Sequence, residues 1–440
     1  MKILLVTWYF PPSRTIAAVR LGKLARYFQA RGHDLRVLTP LDPPLPQDLA
    51  VKFPAERVVR TAWQSEDAKA AAVPVQVPAA GTLPSSESRH TKLKKTLWRL
   101  HSSFAGFPDA RVSWMPFAMK ASADLLADWR PDLVYASGPP FTTLLIAEEV
   151  SRRFDLPLVT EFRDRWSEDP YAPPFFWRRW RNRLAEKSLI GQASAIVTVS
   201  KPWAASYSAR YRKPTEVVYN GYDAELCDTG PFDGAAGRPG LEIVYTGGIY
   251  PGYRDPSPLF AAMRQLDRRG LACRMIFHGV RPEAVEPLIE AQDVSHLVEI
   301  REVLTHEAAL RRQRESDILV LLQWNNPKEQ GNVPGKFFEY LGARRPILVL
   351  GLREGVPATI LRERQAGFFS NEPDEIAAQL VRWLEEKQEK GILPPVPESA
   401  RAGFSRDEQY ARLEQFLEQL VSGRQADAPG LDPAPHAQPG

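Results

Sequence analysis

What most narrows the fold is an alternation that runs through the chain twice: short apolar runs of β-type composition, each followed by a stretch with apolar residues at helical spacing. Lys2 to Thr7 is the first run, and beyond a proline-rich loop Ala18, Leu21, Ala25 and Phe28 recur every three or four residues up to Gly32. Leu35 to Thr39 is strand again. Two strands joined through a helix pair in parallel, because the crossover returns the chain to the same end, and a parallel sheet must carry helices on its faces. The pattern resumes with a helix from Ala118 to Arg130, then strands at Leu133 to Ala136, Leu158 to Glu161 and Ala195 to Ser200, with helices ending at Phe154 and Leu189 between them. One doubly wound α/β domain accounts for this half.

A stretch rich in glycine, Asp233 to Gly240, reads as a linker. Strands then fall at Glu242 to Thr246, Arg274 to Gly279, Leu297 to Arg301, Ile318 to Gln323 and Pro346 to Leu350. Helices at Pro258 to Arg269, Pro282 to Ala291, His306 to Glu315 and Pro334 to Ala343 separate them. The expected division is a first domain over 1–232, a second over 241–398, a helix over 399–421 and a disordered tail over 422–440. Residues 64–88, rich in Ala, Pro and Ser, read as a mobile excursion of the first domain. Tyr410, Leu413, Phe416, Leu417 and Leu420 give the late helix an apolar face expected to pack across both domains. Open parallel sheets bind ligands beyond the carboxyl ends of their strands, so two of them in tandem place a site in the cleft between.

Composition removes several classes. A chain of 440 residues with 44% hydrophobic and 25% charged residues has ample material for large cores. Cys227 and Cys273 cannot form a disulfide framework or a zinc site, which points to a reducing, cytoplasmic setting. No run of eighteen apolar residues exists, and the apolar start lacks a basic n-region and a cleavage site, so neither a span nor a signal peptide is expected. A net charge of +4 is too small for wholesale nucleic-acid binding.

The strongest local signal is Pro334-Gly-Lys336-Phe-Phe-Glu339, after a buried strand. Pro334 suits a first helical turn, free amides there attract anions, and Lys336 adds a point charge. Glu339 stands one turn further along, about 4.5 Å of rise, near the spacing from a diphosphate to the ribose hydroxyls of a nucleotide. A solvated i,i+3 ion pair is the alternative. A second signal is Tyr245-Thr-Gly247-Gly248-Ile-Tyr250-Pro-Gly252-Tyr-Arg254, where glycines admit phosphate to the backbone and Arg254 can bind its oxygens bidentately. The loop lacks the G-x-G-x-x-G fingerprint, there is no Walker sequence, and no Asp-x-Asp occurs to hold a metal. No metal and no resident cofactor are expected.

Val218-Tyr-Asn220-Gly221-Tyr-Asp223, preceded by Ala195-Ile-Val-Thr-Val-Ser200, resembles the interdomain signature of family 4 glycosyltransferases, which have the two-domain GT-B fold. In order along residues 1 to 420 the other landmarks are Tyr9-Phe-Pro-Pro12 with Arg31-Gly-His33, Pro108-Asp109 before Trp114, Ser137-Gly138-Pro-Pro140, Phe162-Arg163-Asp164-Arg-Trp166, the Gly335 to Leu341 helix, and Arg345-Pro346. The fold class is then GT-B, two Rossmann-like doubly wound domains facing a central cleft. The resemblance implies retaining transfer of a sugar from a nucleotide-diphosphate donor to a glycan or lipid-linked acceptor. It places Gly247, Gly248, Arg254, Val333, Gly335, Lys336 and Glu339 around the donor, and Pro12, Ser137 and Gly138 on the acceptor side. Glu339 matches the ribose-binding glutamate, and Arg254 and Lys336 stand where the diphosphate is neutralised. The family's paired-glutamate pattern would place its first carboxylate at 331, where this chain has Gly331; the nearest is Glu329.

Departure of the leaving group builds negative charge on the diphosphate, which Arg254 and Lys336 would stabilise. Asp164 and Arg163, just beyond a strand end, are candidates to face the cleft from the first domain, unless Asp164 only caps a helix or pairs with Arg163 or Arg165. His33 reads as a capping or surface residue. His278, at a strand end, is a minor candidate for touching the donor. Two segments mix cations with aromatics: Arg89 to Phe107, without an acidic residue, and Phe175 to Arg183. They suggest peripheral attachment to the anionic inner face of a membrane, or else solvated helices whose aromatics lie in the core. A nucleotide-sugar epimerase and a degenerate nucleotide-sugar-binding scaffold remain alternatives to the transferase.

Overall fold

The computed structural model describes residues 1–64, 106–171, 175–227 and 237–427. Two sheets dominate it, and every strand pair is parallel. The first has seven strands: β1 (Lys2–Val6), β2 (Asp34–Pro40), β3 (Val58–Thr61), β4 (Leu133–Gly138), β5 (Leu158–Phe162), β6 (Ala195–Thr198) and β7 (Thr215–Val217). Their order is β3-β2-β1-β4-β5-β6-β7. The second has β8 (Leu241–Thr246), β9 (Cys273–His278), β10 (Val298–Arg301), β11 (Ile318–Leu322), β12 (Ile347–Leu350) and β13 (Gly367–Phe369), in the order β10-β9-β8-β11-β12-β13. Central strands such as β4, β5 and β11 are buried on both faces, which is why they read as unbroken apolar runs. In each sheet the strand order reverses once, between β1 and β4 and between β8 and β11. The loops after those four strands diverge and leave a crevice.

In the first lobe, α1 (Ile16–Ala30) covers one face, and α2 (Met115–Asp128), α3 (Thr142–Phe154), α4 (Phe176–Gln192) and α5 (Lys201–Tyr211) cover the other. Asp109 holds the start of α3, accepting from the Thr142 amide at 2.9 Å and the Thr142 hydroxyl at 2.8 Å. After the short α6 (Ala224–Cys227), the second lobe has α7 (Ser257–Arg268), α8 (Glu286–Ala291), α9 (His306–Arg314), α10 (Gly335–Ala343), α11 (Val356–Arg364) and α12 (Pro373–Lys390). The helix expected over 282–291 is broken at Val285 into a 3₁₀ turn and α8. Pro287 has no amide hydrogen and its ring opposes the carbonyl four residues back.

The last helix, α13 (Arg406–Asp427), runs six residues into the stretch expected to be disordered. Its apolar face does not straddle the lobes. Tyr410, Leu413 and Leu417 join Leu24, Ala25 and Phe28 of α1 in the first lobe's core, and only Phe404, just before it, packs in the second. His33 is buried rather than a surface residue: its Nε2 lies 2.7 Å from Glu414 of α13. The excursion (beyond Gln64), nearly all of Arg89 to Phe107, most of the linker and the tail beyond Asp427 lie outside the described residues.

The two crossings between lobes run side by side. Arg20 of α1 is buried, paired with Glu161 of β5 at 2.6 Å, and donates to the carbonyls of Val218 at 2.9 Å and Tyr219 at 2.8 Å. Arg406 meets Asp223 at 3.0 Å and the Asn220 carbonyl at 2.8 Å, while Lys23 reaches Asp223 at 2.6 Å. The segment singled out as an interdomain signature is thus clamped by α1 and α13.

Candidate functional site

The N-terminus of α10 faces the start of α1 across the crevice: a Cβ on Gly335 would lie 3.8 Å from Asn220 and 3.9 Å from Ile16. Pro334 caps α10 without a side-chain oxygen, so the first amides of the helix are left for a ligand. Beside them, Lys336 Nζ donates to the Thr246 carbonyl at 2.6 Å and stands 4.1 Å from the centre of the Tyr245 ring. Burial, reinforced by the nearby charge of Arg254, lowers its pKa. Gly247 has φ +98°, and a Cβ there would come within 2.9 Å of Nζ, so glycine is what lets the ammonium seat against the β8 loop. Arg254 donates to the Gly248 carbonyl at 2.9 Å and lies over Tyr250 at 4.4 Å. Among the described residues neither Arg254 nor Lys336 makes an ion pair with a carboxylate. Two cations and a helix start therefore converge without a direct carboxylate partner among the described residues, Glu329 and Glu339 acting on them only at longer range.

Glu339, on the next turn of α10, lies 3.1 Å from His306 Nε2 at the start of α9. Burial acts to raise its pKa, but His306, Arg406 and Gln313 outweigh that and hold the carboxyl below its ordinary value. It is an ionised acceptor ready for hydroxyl donors. His278 sits buried at the end of β9, where its carbonyl accepts from the Gly247 amide at 2.8 Å; burial, with the charge of Arg312, lowers the pKa of its ring. The donor-side set Gly247, Gly248, Arg254, Gly335, Lys336 and Glu339 is brought together. Val333 is not in the crevice: its side chain is in the second lobe's core.

On the acceptor side the placements are mixed. Asp164 lines an interlobe cavity of about 280 Å³ with Arg165, Tyr171 and Trp203, opposite Lys328 and Asn332 of the second lobe. Its side chain is exposed to the cleft, while the protein packed around it desolvates the carboxyl and pushes its pKa up against the opposing pull of Arg163. Pro12 is exposed in the loop after β1. Ser137 and Gly138 are buried; the Ser137 hydroxyl donates to Glu161, so it braces β5 and does not reach the cleft. Arg163 bends back, donating to the Pro139 carbonyl with its guanidinium 5.9 Å from the Tyr9 ring. The guanidinium is thus held by the half-buried carbonyl just after β4.

The sequence did not single out the seam itself. Tyr171 of the first lobe donates to Glu329 of the second, whose other oxygen accepts from Asn332 at 2.8 Å, and burial raises the Glu329 pKa against both bonds. The Tyr171 ring also meets Tyr253 and Trp324, at 5.4 and 6.0 Å. Trp203 donates from its indole to the Gln330 carbonyl at 3.0 Å. Gly331 has φ +86°, and a Cβ there would fall 2.2 Å from Trp203 Cδ1. The absent carboxylate thus has a steric reason: the indole of the facing lobe occupies its place. An aromatic residue in each of two first-lobe segments was the available signal, but nothing in the spacing told which lobe they would face.

Residues 17–222 match the model of the glycosyl transferase 4-like domain. The match spans most of the first lobe and ends in the crossing to the second. No curated protein sequence matches the chain. Across both lobes the GT-B fold is shared with solved structures of low identity. Sucrose-phosphate synthase from Thermosynechococcus elongatus is 14% identical with a TM-score of 0.63, covering 96% of this chain and 100% of that one. Anabaena HepE, solved with UDP-glucose, is 17% identical with a TM-score of 0.57 over 96% and 100%. The lipopolysaccharide outer core galactosyltransferase WaaB is 12% identical with a TM-score of 0.58 over the same shares. The chain is built as two doubly wound lobes in the GT-B arrangement, the first carrying the glycosyl transferase 4-like domain.

Proposed function

We propose that this chain is a hexosyltransferase that takes its sugar from a nucleotide-diphosphate donor held by the second lobe. The acceptor is a glycan or lipid-linked glycan held by the first lobe, and the role is in bacterial surface polysaccharide assembly. One observation carries the donor reading: Arg254 and Lys336 lie beside the uncapped start of α10 without a carboxylate partner, with ionised Glu339 one turn beyond. A diphosphate supplies the missing counter-charge, and a ribose supplies the hydroxyl donors for Glu339. HepE, a neighbour in fold, was solved with UDP-glucose, which fits this choice.

In the step proposed, the bond from the anomeric carbon to the diphosphate oxygen breaks and its electron pair leaves with the phosphate. Arg254, Lys336 and the α10 amides stabilise that charge, most strongly as it develops. The acceptor hydroxyl oxygen forms the new bond, and its proton passes to the departing phosphate oxygen on the same face, which gives the retention implied by the family resemblance. Asp164 faces the cavity where the sugar and acceptor would meet and is assigned to orienting them.

Thermal shift with a panel of nucleotide-diphosphate sugars, in the presence of a chelator, tests the donor site. At one hundred times its dissociation constant a ligand adds about 2.7 kcal/mol of stability. Some member should raise the melting temperature, Glu339→Ala should abolish the rise, and donor incubated alone should give no new nucleotide sugar. No shift with any member, or an unchanged shift in Glu339→Ala, would remove the proposed site.

A further inference from the structure

The helix α4 shows solvent a face unlike a solvated surface. Its exposed residues include Phe176, Arg179, Trp180, Arg183, Leu184 and Lys187, spaced by three and four, hence along one side. Phe176 is 78% exposed, Trp180 62% and Leu184 50%. Three large apolar side chains at i, i+4 and i+8 form a continuous stripe, bordered by three cations at i+3, i+7 and i+11. The helix has one carboxylate, Glu186, and it is buried, accepting from the Ser167 amide at 2.9 Å and the Tyr211 hydroxyl at 2.7 Å. Arg178 and Arg181 also turn away from this face, toward the Pro108 carbonyl and the Phe107 ring. The aromatics that a solvated helix would place in its core are outside instead.

We infer that this face docks the first lobe on an anionic lipid bilayer. An apolar stripe of phenylalanine, tryptophan and leucine with flanking cations, and no exposed acid on the helix itself, matches an interface of acyl chains beneath negative headgroups. Leu184 offers no ring for a base to stack on, and the stripe has no groove to grip a strand, which disfavours a nucleic acid. The fold also orients the contact. A helix that follows a parallel strand starts at the strand's carboxyl end, so the most exposed residue, Phe176, stands at the cleft rim. Ser167, in the loop that follows Asp164, is bonded to Glu186, so α4 and the rim move together. On the transferase reading, a bilayer held there presents an amphiphilic acceptor to the first lobe; the docking itself does not depend on that reading.

The test is co-sedimentation of the full chain with equimolar phosphatidylglycerol and phosphatidylcholine vesicles, against pure phosphatidylcholine, at low and high salt. Binding to the anionic vesicles that weakens with salt is expected, with a loss of about tenfold or more in Phe176→Ser/Trp180→Ser and in Arg179→Glu/Arg183→Glu. These positions are exposed, so the melting temperature and any donor-induced shift should stay at wild-type values, which separates failed docking from failed folding or a failed donor site. Wild type that ignores anionic vesicles, or variants that sediment like wild type, would overturn the inference. So would retention of a single-stranded oligonucleotide that the same variants lose while vesicle binding persists.

Discussion

Replacing Gly331 with alanine should be costly for two separable reasons. The backbone there has φ +86°, a left-handed conformation that costs an L side chain about 1–2 kcal/mol. The new Cβ would stand 2.2 and 2.3 Å from Trp203 Cδ1 and Nε1, so the indole must retreat by more than an ångström. Retreat breaks the 3.0 Å bond to the Gln330 carbonyl, worth about 1 kcal/mol, and disturbs packing for about 1–2 kcal/mol. The total is about 3–5 kcal/mol, read as a lowered denaturation midpoint at unchanged slope. Trp203→Ala, which removes the ring and its clash, should cost about 3–5 kcal/mol alone, and the double variant should cost less than the sum by about 2–3 kcal/mol, the bond and packing that either change already loses. That shortfall is what the clash costs, and what persists is the backbone strain. Costs that add to within about 0.5 kcal/mol would refute the seating of Trp203 on Gly331.

Glu339→Gln keeps the shape of the side chain but weakens its hold on hydroxyl donors, so donor affinity should fall by about tenfold, measured by calorimetry. The wild-type Glu339 carboxyl is held below its ordinary 4.5, so the stability it contributes is present above that pH and is lost as pH falls through the lowered value; Glu339→Gln should flatten this acid limb of the melting profile. Asp164 has the opposite sign. Its raised pKa means that ionisation costs stability once pH rises through that value, so Asp164→Asn should melt higher than wild type at pH 7 while the transfer rate drops by about tenfold or more. Arg20→Leu strands the buried Glu161 carboxylate and frees two crossover carbonyls, and should cost about 3–5 kcal/mol in urea denaturation.

The strands read most directly in the sequence are those whose burial is complete, although β10, a partly exposed edge strand, is read at Leu297 to Arg301 as well. β4, β5, β8 and β11 have neighbours on both edges and helices on both faces, so nearly every side chain must be apolar. The edge strands β3, β7 and β13 are three or four residues long and partly exposed, and their mixed composition carries no comparable signal. Site residues divide the same way. Lys336 and Glu339 were legible because one helix turn fixes their separation. Ser137 and Arg163 were not, since motif position says nothing of which way a side chain turns at a strand end, and there Glu161 and the Pro139 carbonyl hold them; nor was Val333, in the loop before α10, whose side chain the second core takes. His306 was missed because its partner Glu339 lies on another helix, 33 residues away.

The seam gives the missing carboxylate at 331 a physical consequence. Residues 329–332 are held from the first lobe at two points, Tyr171 on Glu329 and Trp203 on the Gln330 carbonyl. A carboxylate at 331 would have to displace the indole, and the one at 329 already has each oxygen engaged, one by Tyr171 and one by Asn332. Any sugar entering the cavity beside Asp164 therefore meets an indole and an amide where a second free acid would have been. On the donor reading proposed above, hydroxyl recognition on that side would fall to Asp164 and Asn332, both on the cavity wall. Opening the lobes would break both first-lobe contacts at once and leave Glu329 unpaired by tyrosine. The closed arrangement is thus favoured by the same contacts that replace the absent acid.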